Sequence, residues 1–422
     1  MSAATRPPRS VTHFGVNLLG VLAALVALFV FRARHAPSLV APIVVCFAGV
    51  LPIVAIDVLV LKVHRRSSTG LDWSRTAKTD LGRVATKVLG LAITIAPFLL
   101  VYWKAAEYTE WSQGLFLNAR QFGPSAVLLS VLYIWFVDGQ MREPKDAYWQ
   151  LGRLVLGHPS DVNRGQIADH YRGWLVKAFY IPLFLGSANS MLNGVISFDL
   201  SAQKGAQLPL FHFGNDLIYS IDVLYAAVGY LLSLRVFDSH LRSAEPTMLG
   251  WAVALECYAP FWPKLFNPLY LNYDGPGFET WLAGHDAMLW IVAAVILVLE
   301  GIYVLATIAF GVRFSNLTHR GILTNGPYRF TKHPAYIAKN ISWWLVTLPF
   351  VPFHGWVGAV KSSLALGGIG VMYFLRARTE ERHLSRDPAY VEYALWMNDH
   401  GWLRFLNRVR FFKYKAPVAP PR

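Results

Sequence analysis

Apolar runs close to the length of a membrane crossing recur along the whole 422-residue chain, and no other feature restricts its fold as much. A bilayer's hydrocarbon core takes roughly 20 residues of helix to span. Such runs lie at 14–31, 38–61, 87–103, 122–137, 173–198, 213–234, 247–263 and 287–311. A further stretch, 341–375, is too long for one crossing and is broken by Pro349, Pro352 and Gly355. It reads as two short spans in a tight hairpin. Within lipid every backbone polar group must be paired internally, and helices do this within a single segment. The expected fold is therefore an all-α polytopic transmembrane bundle of about ten spans. Only 15% of the residues are charged, against about a quarter in soluble domains.

Lysine and arginine give the direction of threading, because cytoplasmic loops are enriched in them. With ten spans and the N-terminus inside, 32 of the 39 fall on inside segments. Both termini are expected in the cytoplasm, in a bacterial inner membrane. The first run is expected to remain as a span. It is longer than a typical signal core, and no small-residue cleavage site precedes Phe31-Arg32-Ala33-Arg34. The net charge of +14 is accounted for by this asymmetry and by anionic headgroups. No nucleic-acid-binding module accompanies it, so no nucleic-acid partner is expected. The two cysteines, Cys46 and Cys257, both sit inside apolar runs and build neither a disulfide framework nor a zinc site. His35, His212 and His285 lie on the outer side without ligand spacing, and no metal is expected.

Polar residues concentrate in Gly326-Pro327-Tyr328-Arg329-Phe330-Thr331-Lys332-His333-Pro334-Ala335-Tyr336-Ile337-Ala338-Lys339-Asn340. A turn at Gly326-Pro327 leads into an extended segment. His333 precedes a proline and is pushed away from helical angles. Pro334 suits the first position of a helix, whose N-terminus offers free N–H groups and a positive dipole end to a carboxylate or phosphate. After the hairpin come Arg376-Ala377-Arg378-Thr379-Glu380-Glu381 and then Tyr390-Val391-Glu392-Tyr393. Taken alone, this stretch also fits a surface ladder, with Arg376–Glu380 at i,i+4 and Arg378–Glu381 at i,i+3, worth only about 0.2–0.5 kcal/mol per pair.

The ordered set GPYRFTKHPAYIA, membrane hairpin, RTEE and Tyr-x-x-Tyr resembles the isoprenylcysteine carboxyl methyltransferases and the related membrane phospholipid N-methyltransferases. The resemblance covers roughly residues 290–412. Lys332 stands where arginine is usual, Ala338 where glycine is common, and Arg386-Asp387-Pro388 replaces a frequent Phe-Gly. Lysine cannot reproduce the bidentate grip of arginine.

The resemblance implies S-adenosylmethionine as cofactor and a membrane lipid or lipid-linked molecule as methyl acceptor, through a carboxylate, amine or thiol. It implies that Tyr328, His333, Pro334 and Tyr336 contact the cofactor. Glu380 and Glu381 would take its ammonium or ribose hydroxyls, or hold the site together. Arg378 and Arg329 would meet the cofactor carboxylate or orient an anionic substrate. The chemistry would be in-line displacement from a sulfonium, dependent on proximity and on exclusion of water. Residues 287–422 would form the catalytic membrane domain, with its site on the cytoplasmic side. Residues 1–286, about seven spans, carry no readable role.

Two alternatives stand beside this reading. One is a sterol-reductase-like membrane reductase using NADPH, against which the Glu380-Glu381 pair argues. The other is a transporter with Asp57, Asp222 and Glu300 as a relay, which predicts a similarity between halves that the sequence does not display. Asp57, Asp216, Asp222, Glu256 and Glu300 fall inside apolar runs, where ionisable groups are functional candidates. Of these Glu300 is the most central. Asn316-Leu317-Thr318 matches a glycosylation sequon, but its expected side is cytoplasmic.

Overall fold

The computed structural model describes residues 6–34, 37–38, 40–74, 79–106, 110–200, 202, 208–264, 277–353 and 355–417. His35 and the loop around Gly275 lie outside the described residues. The chain is mostly helical, 73% helix and 2% strand. The helices are α1 (Phe14–Ala33), α2 (Val40–Ala55), α3 (Leu81–Ala106), α4 (Glu110–Asp138), α5 (Ala147–Val155), α6 (Arg164–Ser197) and α7 (Pro209–Leu231). They continue with α8 (Met248–Leu255), α9 (Phe278–Trp281), α10 (Asp286–Phe310), α11 (Pro334–Thr347), α12 (Gly355–Leu384) and α13 (Pro388–His400).

Among the described residues, six helices are long and apolar enough to cross a membrane: Phe14–Ala33, Val40–Val60, Leu81–Lys104, Arg164–Ser197, Asp286–Arg313 and Gly355–Leu384. The chain is built as an integral membrane protein. Their outward faces bear it out, because α1 exposes Leu19, Leu22, Val26, Phe29 and Val30 while burying Val16, Val21, Ala24 and Leu28. Apolar residues at helical spacing on an exposed face suit a lipid surround.

Where ten spans were expected, four segments differ. The run 122–137 forms only the shorter apolar part of α4, Gly123–Asp138. Helix α7 has sufficient length but carries Asp216 and Asp222. The run 247–263 contains an eight-residue helix, α8, about 12 Å long. The hairpin is unequal, because α11 has 14 residues and α12 has 30. The break opens at Leu348, whose φ is +43°, one residue before Pro349, the first of the breakers named in the sequence, and α12 begins at the last of them, Gly355. However, α11 begins well before the apolar run and α12 continues past it. No helix breaker occurs in Arg376–Leu384 before Pro388, so the charged stretch stays helical.

Helices α1, α2, α6, α7 and α10 share the largest core. A Cβ on Gly20 would lie 2.4 Å from the Gly49 carbonyl oxygen, so α1 and α2 cross at a contact only glycine permits. Asn17 of α1 donates to the carbonyls of Ile308 (2.8 Å) and Ala309 (3.1 Å) at the end of α10. The last third of the chain is thereby fastened to the first helix. Polar side chains cap the starts of four helices. Asp146, Asn163, Thr247 and Asp387 accept from backbone N–H groups at the N-termini of α5, α6, α8 and α13, the usual satisfaction of orphan donors.

The loops 63–86 and 138–172 pack on one another, with a bridge between Leu71 and Met141. Buried Asp138 is held there by Arg83 (2.6 Å) and Lys87 (2.9 Å). A two-residue ribbon pairs β1 (Ser243–Ala244) with β2 (Thr318–His319). It brings the segment before α8 beside the segment that leads into the polar motif.

Candidate functional site

The motif folds as its residues dictate. Gly326 takes φ +56°, and a Cβ there would lie 2.7 Å from the Phe14 ring, so the turn requires glycine. His333 adopts φ −132° and ψ 58° as the residue before α11, and Pro334 is its first residue. Two contacts from further along the chain pin this loop. Tyr393 of α13 donates to the Tyr328 carbonyl at 2.7 Å, and the Trp402 N–H donates to the Phe330 carbonyl at 2.9 Å. Burial raises the phenol of Tyr328, with the negative charge of Glu380 as a lesser cause, so it is neutral at physiological pH.

The continuation of α12 sets its acidic pair against this loop. Glu380 Oε2 accepts from the Tyr336 hydroxyl at 2.8 Å. Glu381 Oε1 receives Lys332 Nζ at 2.5 Å and His333 Nε2 at 3.2 Å, and its Oε2 receives Arg378 Nη1 at 3.0 Å. The rings of His333 and Tyr336 stack at 5.5 Å with an interplanar angle of 6°. Adjacent carboxylates thus have opposite surroundings. One meets a single neutral hydroxyl, the other three basic groups.

Half of the surface ladder forms. Arg378 pairs with Glu381, but Arg376 donates to Asn316 Oδ1 at 2.6 Å. It lies over the faces of Tyr336 (5.1 Å), Tyr258 (5.6 Å) and Tyr373 (5.9 Å). Such a guanidinium is held by ring quadrupoles in place of a carboxylate.

Two cavities meet at this wall. The larger, about 450 Å³, is lined by His333, Tyr336, Asn340, Arg378 and Glu381 and by residues of the chain after α13, among them Arg404. The smaller, about 110 Å³, is lined by Tyr328, Lys339, Arg376, Glu380 and Glu245 among others. Lys332, His333, Tyr336 and Tyr373 border both.

Tyr328, His333, Tyr336, Arg378, Glu380 and Glu381 therefore come together as the sequence placed them. Pro334 is buried and shapes the start of α11. Arg329 is exposed on the turn and lines neither cavity. Arg378, expected to grip a substrate anion, has its Nη1 committed to Glu381. Three residues that the sequence reading left out of the site, Arg376, Asn316 and Lys339, also face the smaller cavity. For Arg376 a signal existed, as the first charge after the apolar run of α12. Asn316 had none, since its only mark was a sequon set aside.

The residues present fit an S-adenosyl group. The larger cavity has the volume of an ordinary small-molecule site. Tyr336, Trp344, Tyr373 and Phe374 give it aromatic faces, and Asn340 and Asn407 line it with Nδ2 already bonded to backbone carbonyls. Glu380 keeps one oxygen without a hydrogen bond among the described residues, whereas Glu381 is already neutralised. Glu380 borders the smaller cavity and not the larger one, so a ligand seated in the larger would meet its free oxygen only by reaching past Tyr336 and His333 on the shared wall.

Of the acids in apolar runs, Asp222 adjoins this site, because its two donors, Tyr303 and Thr307, both line the smaller cavity. Asp222 accepts from the Tyr303 hydroxyl at 2.6 Å and from the Thr307 hydroxyl. Glu300 accepts from Asn215 Nδ2 at 3.0 and 3.1 Å. Asp57 is buried in the single π-turn that ends α2, and Asp216 is exposed. No protein-family model, no curated protein and no solved structure matches the chain.

Proposed function

We propose that the chain is a membrane methyltransferase that moves the methyl group of S-adenosylmethionine to a lipid or lipid-linked acceptor, at the cytoplasmic side of a bacterial inner membrane. The observation that carries this reading is the pair of unequal cavities sharing one wall. An in-line displacement needs donor and nucleophile at the two ends of one axis, and two chambers meeting at Lys332, His333 and Tyr336 supply such an axis.

When bound, the sulfonium supplies an activated methyl group and leaves as a neutral thioether. The amino-acid end would reach past the shared wall to Glu380 on the smaller cavity, whose carboxylate Tyr336 fixes through the 2.8 Å bond. His333 and Tyr336, stacked in register, would position the methyl-bearing end. Lys332, His333 and Arg378, drawn together by Glu381, keep the wall rigid. Arg376 in its ring of tyrosines, together with Lys339, would orient the acceptor from the smaller cavity. A carboxylate acceptor would need no base, so the reaction rests on alignment and on excluding water.

Calorimetry on the purified protein in detergent tests the reading. S-adenosylmethionine or its demethylated product should bind, and NADPH should not. Binding of NADPH with none of the methyl donor would replace the proposal with the reductase alternative.

A further inference from the structure

The chain after α13 forms a strap, residues 401–415, with the sequence Gly-Trp-Leu-Arg-Phe-Leu-Asn-Arg-Val-Arg-Phe-Phe-Lys-Tyr-Lys. It carries five basic residues and no acidic one. Arg404, Arg408, Arg410, Lys413 and Lys415 are all exposed. Large apolar side chains alternate with them and are exposed too, with Trp402 71%, Phe405 57%, Val409 53% and Phe411 60% accessible. A soluble surface does not present this combination, whereas an in-plane membrane segment does.

The strap is fastened at both ends and touches the body between them, where Asn407 Nδ2 donates to the Asn398 carbonyl at 2.7 Å. At its start the Trp402 N–H bonds the Phe330 carbonyl, and the two rings lie 4.3 Å apart. At its end Asn398 clamps Tyr414 by donating to its carbonyl at 2.9 Å and accepting from its N–H at 3.1 Å. In the middle, Phe411 stacks on Phe374 at 5.1 Å. Phe374 and Leu375 are the last apolar residues of α12 before Arg376. The strap therefore sits at the depth where the helix passes from hydrocarbon to headgroups. Leu403, Arg404, Leu406, Asn407 and Phe412 also form part of the larger cavity's lining.

We infer that residues 401–415 are an anionic-lipid docking element, whose aromatic side chains enter the interface while its arginines and lysines bind headgroup phosphates. Charge complementarity selects this occupant, since five cations without an acid match a surface of acidic phospholipids, each contributing roughly a five-fold factor in affinity. The inference does not depend on methyl transfer. Because the strap borders the larger cavity, its seating on the lipid also sets the shape of that cavity's mouth.

The test uses the full chain with Cys46→Ala, Cys257→Ala and Val409→Cys substitutions, labelled with a polarity-sensitive fluorophore, in nanodiscs of phosphatidylcholine with or without phosphatidylglycerol. Emission should shift to the blue only when phosphatidylglycerol is present, and high salt should reverse the shift. A triple change, Arg404→Glu, Arg408→Glu and Arg410→Glu, should abolish it while the melting temperature stays near that of the parent. Equal emission in both lipids would overturn the inference. So would a shift that survives the triple change, or one produced in phosphatidylcholine discs by added RNA and not by phosphatidylglycerol.

Discussion

Two clusters of buried acids, one between α7 and α10 and one at the end of α12, differ in what satisfies them. Asp222 and Glu300 are met by neutral donors: the hydroxyls of Tyr303 and Thr307, and the amide of Asn215. Glu381 is met by Lys332, His333 and Arg378. In a low-dielectric interior a carboxylate with neutral donors tolerates protonation without upsetting its neighbours. A carboxylate that gathers three basic groups cannot lose its charge without leaving those groups to repel one another. The first arrangement ties helices together, and the second holds a polar site in one shape.

The largest expected effect follows from removing the charge at the second cluster. Glu381→Gln keeps the volume but leaves Lys332, His333 and Arg378 without their common counter-charge. Breaking a buried pair from one side costs about 3–5 kcal/mol. Because Arg378 is 40% exposed, the lower end, about 3 kcal/mol, applies. Thermal unfolding in detergent should fall by several degrees. A melt equal to the parent's would show that Glu381 makes no more than a surface ladder.

Glu380→Gln sharpens the contrast between the neighbouring carboxylates. Its one partner is a tyrosine hydroxyl, so stability should change little. If Glu380 takes the ammonium of S-adenosylmethionine, the loss of a charge-assisted bond worth roughly 1.5–3 kcal/mol lowers cofactor affinity about ten- to a hundred-fold. Calorimetry on the two variants side by side separates binding from holding. Unchanged affinity in a folded Glu380→Gln protein would move the ammonium site elsewhere.

The clusters also differ in how far the sequence disclosed them. The motif around His333 was readable because Gly326, Pro327 and Pro334 dictate local backbone, and α12 needed only the absence of a breaker to carry Glu380 and Glu381 into place. Helix type was legible from hydropathy, and six of the expected crossings are helices long and apolar enough to span among the described residues. The runs 122–137 and 247–263 have the composition of spans, yet α8 stops after eight residues. Partners were the least legible part. Arg376 stands four residues before Glu380 and turns to Asn316, 60 positions away, because Tyr258, Tyr336 and Tyr373 offer it a cage. A contact set by three-dimensional packing leaves no mark in sequence spacing.

The smallest effect is expected at Glu300→Gln, which probes the neutral cluster. Asn215 Nδ2 lies 3.1 and 3.0 Å from the two carboxylate oxygens. A glutamine keeps one carbonyl acceptor for that donor. Its own amide would face Asn215, whose side chain can turn to present its oxygen, so the pair remains bonded. The substitution also removes a charge that is costly to desolvate, and hydrogen bonds between neutral groups contribute about 0.5–1.5 kcal/mol each. The net change should therefore stay within about 1 kcal/mol, and the melting temperature close to the parent's. A drop as large as that of Glu381→Gln would mean that Glu300 is a counter-charge after all. Lys339, which lies against Tyr303 and Trp343 at 5.1 and 5.2 Å from their ring centres, would be its cation. In that case Lys339→Met should restore the stability of Glu300→Gln, because removing both charges leaves nothing unpaired. If instead the double variant melts no higher than Glu300→Gln alone, the two side chains act independently and Lys339 is not the cation that Glu300 serves.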